Sequence, residues 1–112
     1  MSRERRLRRA LAGLTALANA LAASAPLAAE TLHISIADLA FAPHELSAKV
    51  GDTVEWSNDD ILLHSATDRA QSFDLVIEPG QKAQLALKNP GKLSYYCRYH
   101  PNMTGEITVG PQ

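Results

Sequence analysis

Cys97-Arg98-Tyr99-His100-Pro101-Asn102-Met103 is the stretch on which the reading of this chain turns. A thiol, an imidazole and a thioether recur in it at intervals of three residues. Just upstream, Leu93, Tyr95 and Cys97 share one face of a period-two pattern, which predicts a strand leading into a tight loop. Such a loop lets all three side chains turn toward one point. A second imidazole, His64, follows the turn-forming run Asn58-Asp59-Asp60.

Two imidazoles and one thiolate in a trigonal plane, with a weak axial thioether, make up the donor set of blue-copper sites. The candidate ligands are therefore His64, Cys97, His100 and Met103. The soft sulfur atoms suit Cu(I), and imidazole suits both Cu(I) and Cu(II). Zinc more often gathers several thiolates or a set of histidines and carboxylates. Taken singly, a lone cysteine is commonly a small buried apolar residue and a methionine is commonly core filler. Their combination in one loop, with a histidine upstream, carries the assignment. His33 lies on the polar face of its strand and His44 follows Pro43 in a connection; neither has comparable company.

Working outward, strand and turn signals alternate and no convincing helix appears. Thr31 to Ala37 places Leu32, Ile34 and Ile36 on one face. Further strands are expected over Glu45 to Val50, Thr53 to Ser57, Leu63 to Thr67, Phe73 to Ile77, Lys82 to Leu87, Leu93 to Cys97 and Glu106 to Val109. Gly51-Asp52, Pro79-Gly80 and Asn89-Pro90-Gly91 punctuate them. Seven or eight short strands so spaced predict an all-β fold, a Greek-key sandwich or barrel.

Residues Met1 to Arg9 hold five arginines and one acid, an Ala- and Leu-rich stretch follows, and small residues crowd Ala22 to Ala29. That order is the pattern of a signal peptide over residues 1–29, cut after Ala29, with one domain over 30–112. A retained anchor is the competing reading, but the apolar stretch is short for a span and contains Gly13, Thr15 and Asn19. From Glu30 onward six basic residues face eleven acids, a net charge of 6 − 11 = −5. No basic nucleic-acid footprint remains. A small exported domain with a single Cys has no intrachain disulfide to staple it, so it needs a very good core or a metal.

With these residues in view, the chain resembles the cupredoxin family, and its short ligand loop is similar to that of the amicyanins. Plastocyanins and pseudoazurins resemble it too, with a longer stretch between His and Met. The likeness runs from Thr31 to Val109. It includes Phe41-Ala42-Pro43, Val50 to Trp56, Asn58 with five residues before His64, and Tyr95 to Gly105. The family's ligand positions fall on His64, Cys97, His100 and Met103. Three residues depart from its pattern: Leu63 stands where Pro is frequent, Leu93 where an aromatic is frequent, and Ser65 where Asn often follows the first ligand. The resemblance implies that the backbone N–H of residue 65 points at the cysteine sulfur, and that Ser65 braces the loop less well than Asn.

The expected function is that of a periplasmic type 1 copper protein binding one copper ion and carrying single electrons between redox partners. It is not expected to be an enzyme, to bind nucleic acid, or to stay in the membrane after signal cleavage; a monomer is expected. The alternative is a copper protein that buffers or delivers the metal. His64 is expected to be the inner ligand and His100 the one nearest solvent. Ile61, Leu62, Leu63, Pro101 and Phe41 are candidates for an apolar docking surface around it.

Overall fold

Period-two alternation drives the chain into two facing sheets, one side chain of each pair turned inward. The structure, a computed structural model, describes residues 28–112. The expected signal peptide therefore lies almost wholly outside the described residues. Among these, nine strands form and no helix: β1 (Thr31–Ala37), β2 (Ala40–Ala42), β3 (Glu45–Lys49), β4 (Thr53–Asn58), β5 (His64–Asp68), β6 (Asp74–Ile77), β7 (Lys82–Ala86), β8 (Gly91–Cys97) and β9 (His100–Gly110). One sheet runs β2-β1-β4-β7 and the other β3-β9-β8-β5-β6. The β1–β4 and β3–β9 pairs are parallel and the others antiparallel. The all-β sandwich expected from the strand spacing is what forms.

Between the sheets lie Ile34, Ile36, Val54, Trp56, Tyr95 and Ile107, all essentially inaccessible to solvent. Each such side chain contributes roughly 1.5–3 kcal/mol on burial. Tyr95 is the hub of the aromatic packing. It meets Trp56 edge-on at 5.5 Å between ring centroids and Phe41 at 4.8 Å. Its partner across the ladder is Gly105, where a Cβ would overlap the Tyr95 ring. Burial pushes the Tyr95 phenol up to about 12, with the Trp56 N–H opposing that rise.

Two strand assignments differ from expectation. The β2 strand has only three residues and leaves too little alternation to read. It pairs with β1 through a two-residue turn, Asp38-Leu39, both at positive φ (52° and 55°). That turn matches the twist of a tight hairpin. The pairing sets Phe41 opposite Ile36 and buries it, so Phe41 belongs to the core and not to a docking surface. The last strand begins at His100 instead of Glu106. Its register with β8 jumps from Tyr96↔Thr104 to Cys97↔His100, so Pro101, Asn102 and Met103 bulge out of the ladder.

Candidate metal centre

The site sits where β5 and β8 part. These strands pair only at Thr67↔Tyr96 and Asp68↔Tyr95. Beyond those pairs His64, at the start of β5, faces Cys97, at the end of β8. The turn Arg98-Tyr99 and the bulge in β9 then bring His100 to the same place. His64 Nδ1 and His100 Nδ1 each lie 3.7 Å from Cys97 Sγ, and the three donor atoms all fall within 4.8 Å of one another. The two imidazole rings are 4.9 Å apart. Bonds of roughly 2.0 Å to nitrogen and 2.3 Å to sulfur, spread at about 120°, put N and S about 3.7 Å apart. The donor cluster thus has the dimensions of a trigonal site for a first-row metal ion.

Burial grades the donors. His64 and Cys97 are fully buried, Met103 is 3% exposed and His100 is half-buried. Of the two histidines His64 is thus the inner and His100 the outer. Met103 is buried within the bulge three residues after His100. His33 and His44 lie elsewhere, beside Glu55 and Thr104 respectively.

The residues that hold the donors are mostly polar and local. Asn58 is fully buried at the end of β4. Its amide donates to Leu62 O at 2.8 Å and Ile77 O at 2.9 Å and accepts from the Asp60 N–H at 3.0 Å, which fixes the loop ahead of His64. Asp60 is the functional residue that the sequence reading passed over as part of a turn. Its Oδ2 accepts from His64 Nε2 at 2.8 Å. A proton on Nε2 leaves Nδ1 as a bare lone pair aimed at the cluster, the usual outer support of a metal-binding histidine. The His64 hydrogen bond, with help from the Ile61 N–H, holds the Asp60 carboxyl below its ordinary value of 3.8. The i,i+4 spacing of an acid before the histidine was the available signal.

Ser65 N–H points at Cys97 Sγ at 3.4 Å, as the resemblance implies. Its hydroxyl also takes the Arg98 N–H at 2.9 Å, so Ser65 bridges β5 to the residue after the cysteine.

This all-β sandwich, with a histidine-cysteine-histidine cluster at one end, belongs to the cupredoxin-like family, whose domain model matches residues 10–109. Within the family the chain is similar to amicyanins. It is 29% identical to amicyanin of Paracoccus denitrificans over 93 residues, covering 78% of this chain and 71% of the relative. It is 30% identical to amicyanin-alpha of Methylorubrum extorquens over 118 residues, covering 90% and 98%. A plastocyanin of Nostoc punctiforme is 34% identical over 90 residues, 63% of this chain and 65% of that one. Among solved structures, the Cu(I) form of a methionine-to-alanine mutant of amicyanin superposes with a TM-score of 0.68 at 26% identity, over 71% of this chain and 82% of the other.

Proposed function

We propose that the protein is an exported type 1 copper protein that carries single electrons between redox partners. One copper ion would be held by His64, Cys97 and His100, with Met103 as a fourth, weaker donor. The observation that carries this reading is the convergence of one thiol and two Nδ1 atoms at trigonal spacing, with the far nitrogen of His64 already engaged by Asp60. The donor chemistry fits copper: one soft thiolate and two imidazoles suit both of its oxidation states. When bound, copper supplies a one-electron couple.

The protein's part is to hold the donors still. His64 is fixed by Asp60, and Cys97 receives the Ser65 N–H on its sulfur. His100 is the half-buried donor, and its ring edge gives the shortest covered route to solvent. Around that end Ile61, Leu62, Leu63 and Tyr99 are exposed, Ile61 at 88%, and Pro101 is exposed as well. They form an apolar docking surface for a redox partner. Burial of His64, Cys97 and Met103 favours retention of the metal over ready exchange, and so an electron carrier over a delivery protein. The arginine-rich, then apolar, then small-residue N-terminal sequence supports export to the periplasm, with residues 1–29 as the leader and 30–112 as the mature domain.

The visible spectrum of the copper-loaded, oxidised protein tests the reading. An intense sulfur-to-copper charge-transfer band is expected, and Cys97→Ser abolishes it while leaving a folded β domain. A colourless wild-type copper complex overturns the assignment.

A further inference from the structure

Beside the donor cluster, four polar residues close a circuit. The Arg98 N–H donates to Ser65 Oγ at 2.9 Å. Ser65 Oγ lies 2.9 Å from Thr67 Oγ1, and Thr67 Oγ1 lies 2.8 Å from Asp74 Oδ1. The Asp74 carboxylate also receives the Arg98 guanidinium, through Nε at 3.2 Å and through Nη2. The path leaves the backbone of residue 98 and returns to its side chain.

Donor counting fixes the direction of every proton in it. A carboxylate only accepts, and each hydroxyl has one proton to give. Thr67 therefore gives its proton to Asp74, and its oxygen is left to accept from Ser65. Ser65, having given its proton to Thr67, offers only lone pairs to the Arg98 N–H. Ser65 and Thr67 are buried, at 0% and 8% exposure, so water does not compete for the bond between them. Hydrogen bonds aligned head to tail in this way polarise one another.

We infer that Asp74 is a positioning residue for Cys97, acting through Thr67 and Ser65 on the Arg98 peptide and locked by the Arg98 guanidinium. Ser65 grips Cys97 from two sides: its N–H meets the sulfur, and its hydroxyl holds the next peptide. The far end of the circuit is anchored by the sheet, because Thr67 and Asp74 are register partners across β5 and β6. This device supplies the loop brace at a position where the family often has Asn. It needs an acid on the edge strand and a basic residue directly after the cysteine.

The inference rests on the copper reading only for its spectroscopic arm. Thr67→Val removes the relay hydroxyl and keeps the side-chain shape and the Asp74–Arg98 pair. In the metal-free protein, hydrogen exchange at the Arg98 amide is expected to quicken by up to about tenfold, because Ser65 Oγ, its acceptor, loses the Thr67 partner that orients it. The Val54 amide in the other sheet keeps its rate, and Thr67→Ser restores the Arg98 amide. In the copper-loaded protein, Thr67→Val shifts the charge-transfer band and the reduction potential, and Thr67→Ser returns both. Should Thr67→Val fail to fold, Asp74→Ala at the exposed edge gives the same exchange readout. An Arg98 amide that keeps its wild-type rate, or that quickens only together with Val54, overturns the inference. A wild-type protein that takes up no copper sinks the metal reading instead and leaves the exchange result to decide this one.

Discussion

The two ends of the sandwich use the same side chain for different work. Six-residue β4 spans about 20 Å and separates Asp52 from Asn58. At the end away from the donors, the Asp52 carboxylate accepts the Glu30 and Lys49 backbone N–H groups, each at 2.9 Å, and so ties the start of β1 to the β3–β4 turn. At the donor end, Asp60 and Asp74 also receive side chains, and each reaches a candidate ligand directly or through a relay. Asp52 and Asp60 are both held below their ordinary value of 3.8, the first by the N–H groups of Glu30 and Lys49 and the second mainly by His64. Similar pKa directions thus accompany opposite roles. What separates them is the identity of the main donor: backbone amides at one end, the imidazole of a candidate ligand at the other.

That contrast is broken most severely at Asn58, where the two functions meet. Asn58→Ala removes three hydrogen bonds from a fully buried position. It is expected to cost roughly 3 kcal/mol, and chemical denaturation of the metal-free protein measures it. Next comes Asp60→Ala, which leaves His64 free to turn. Copper affinity is expected to fall about 10–100-fold, read by competition with a chelator, while the melting temperature of the metal-free protein changes little.

Asp52 sharpens the comparison from the other end. Its folded pKa is depressed, so its contribution to stability is present above the unfolded value near 3.8 and is lost as pH falls below that value. Asp52→Asn is expected to lower the melting temperature at neutral pH and to flatten the decline of stability in acid. The copper spectrum should stay unchanged, because the residue touches nothing at the site. The smallest effect is expected at Leu39, held at φ 55° in the β1–β2 turn. Leu39→Gly relieves about 1–2 kcal/mol of left-handed strain and costs about 0.5–1 kcal/mol in unfolded-chain entropy. A net gain of about 0.5 kcal/mol should appear in denaturation, with no change at the donors.

The strands were legible wherever alternation lasted four or more residues, as in Thr31 to Ala37 or Lys82 to Leu87, because period-two burial writes itself into composition. The β2 strand was not, since its three residues bury only Phe41; without that strand, Phe41 looked like surface. The start of β9 was masked by Pro101-Asn102, which read as a turn and prove to be part of a bulge. The cluster of His64, Cys97 and His100 was legible because thiol, imidazole and thioether at fixed spacing rarely coincide. Much of the support was not: Thr67 and Asp74 meet through cross-strand register, and Asp60, although spaced four residues before His64, looks in a turn the same whether it faces water or an imidazole.

The position of β9 has a consequence for how the sheet assembles. It follows the other described strands in the chain, yet it lies inside its sheet, between β3 and β8. Its register with β3 joins Leu46 to Ile107, a separation of 61 residues, so the sheet closes only through contacts distant in sequence. Cys97 and His100 flank the β8–β9 turn and meet His64 only in that closed sheet. A chain in which β9 has not yet docked between β3 and β8 thus has no assembled donor cluster.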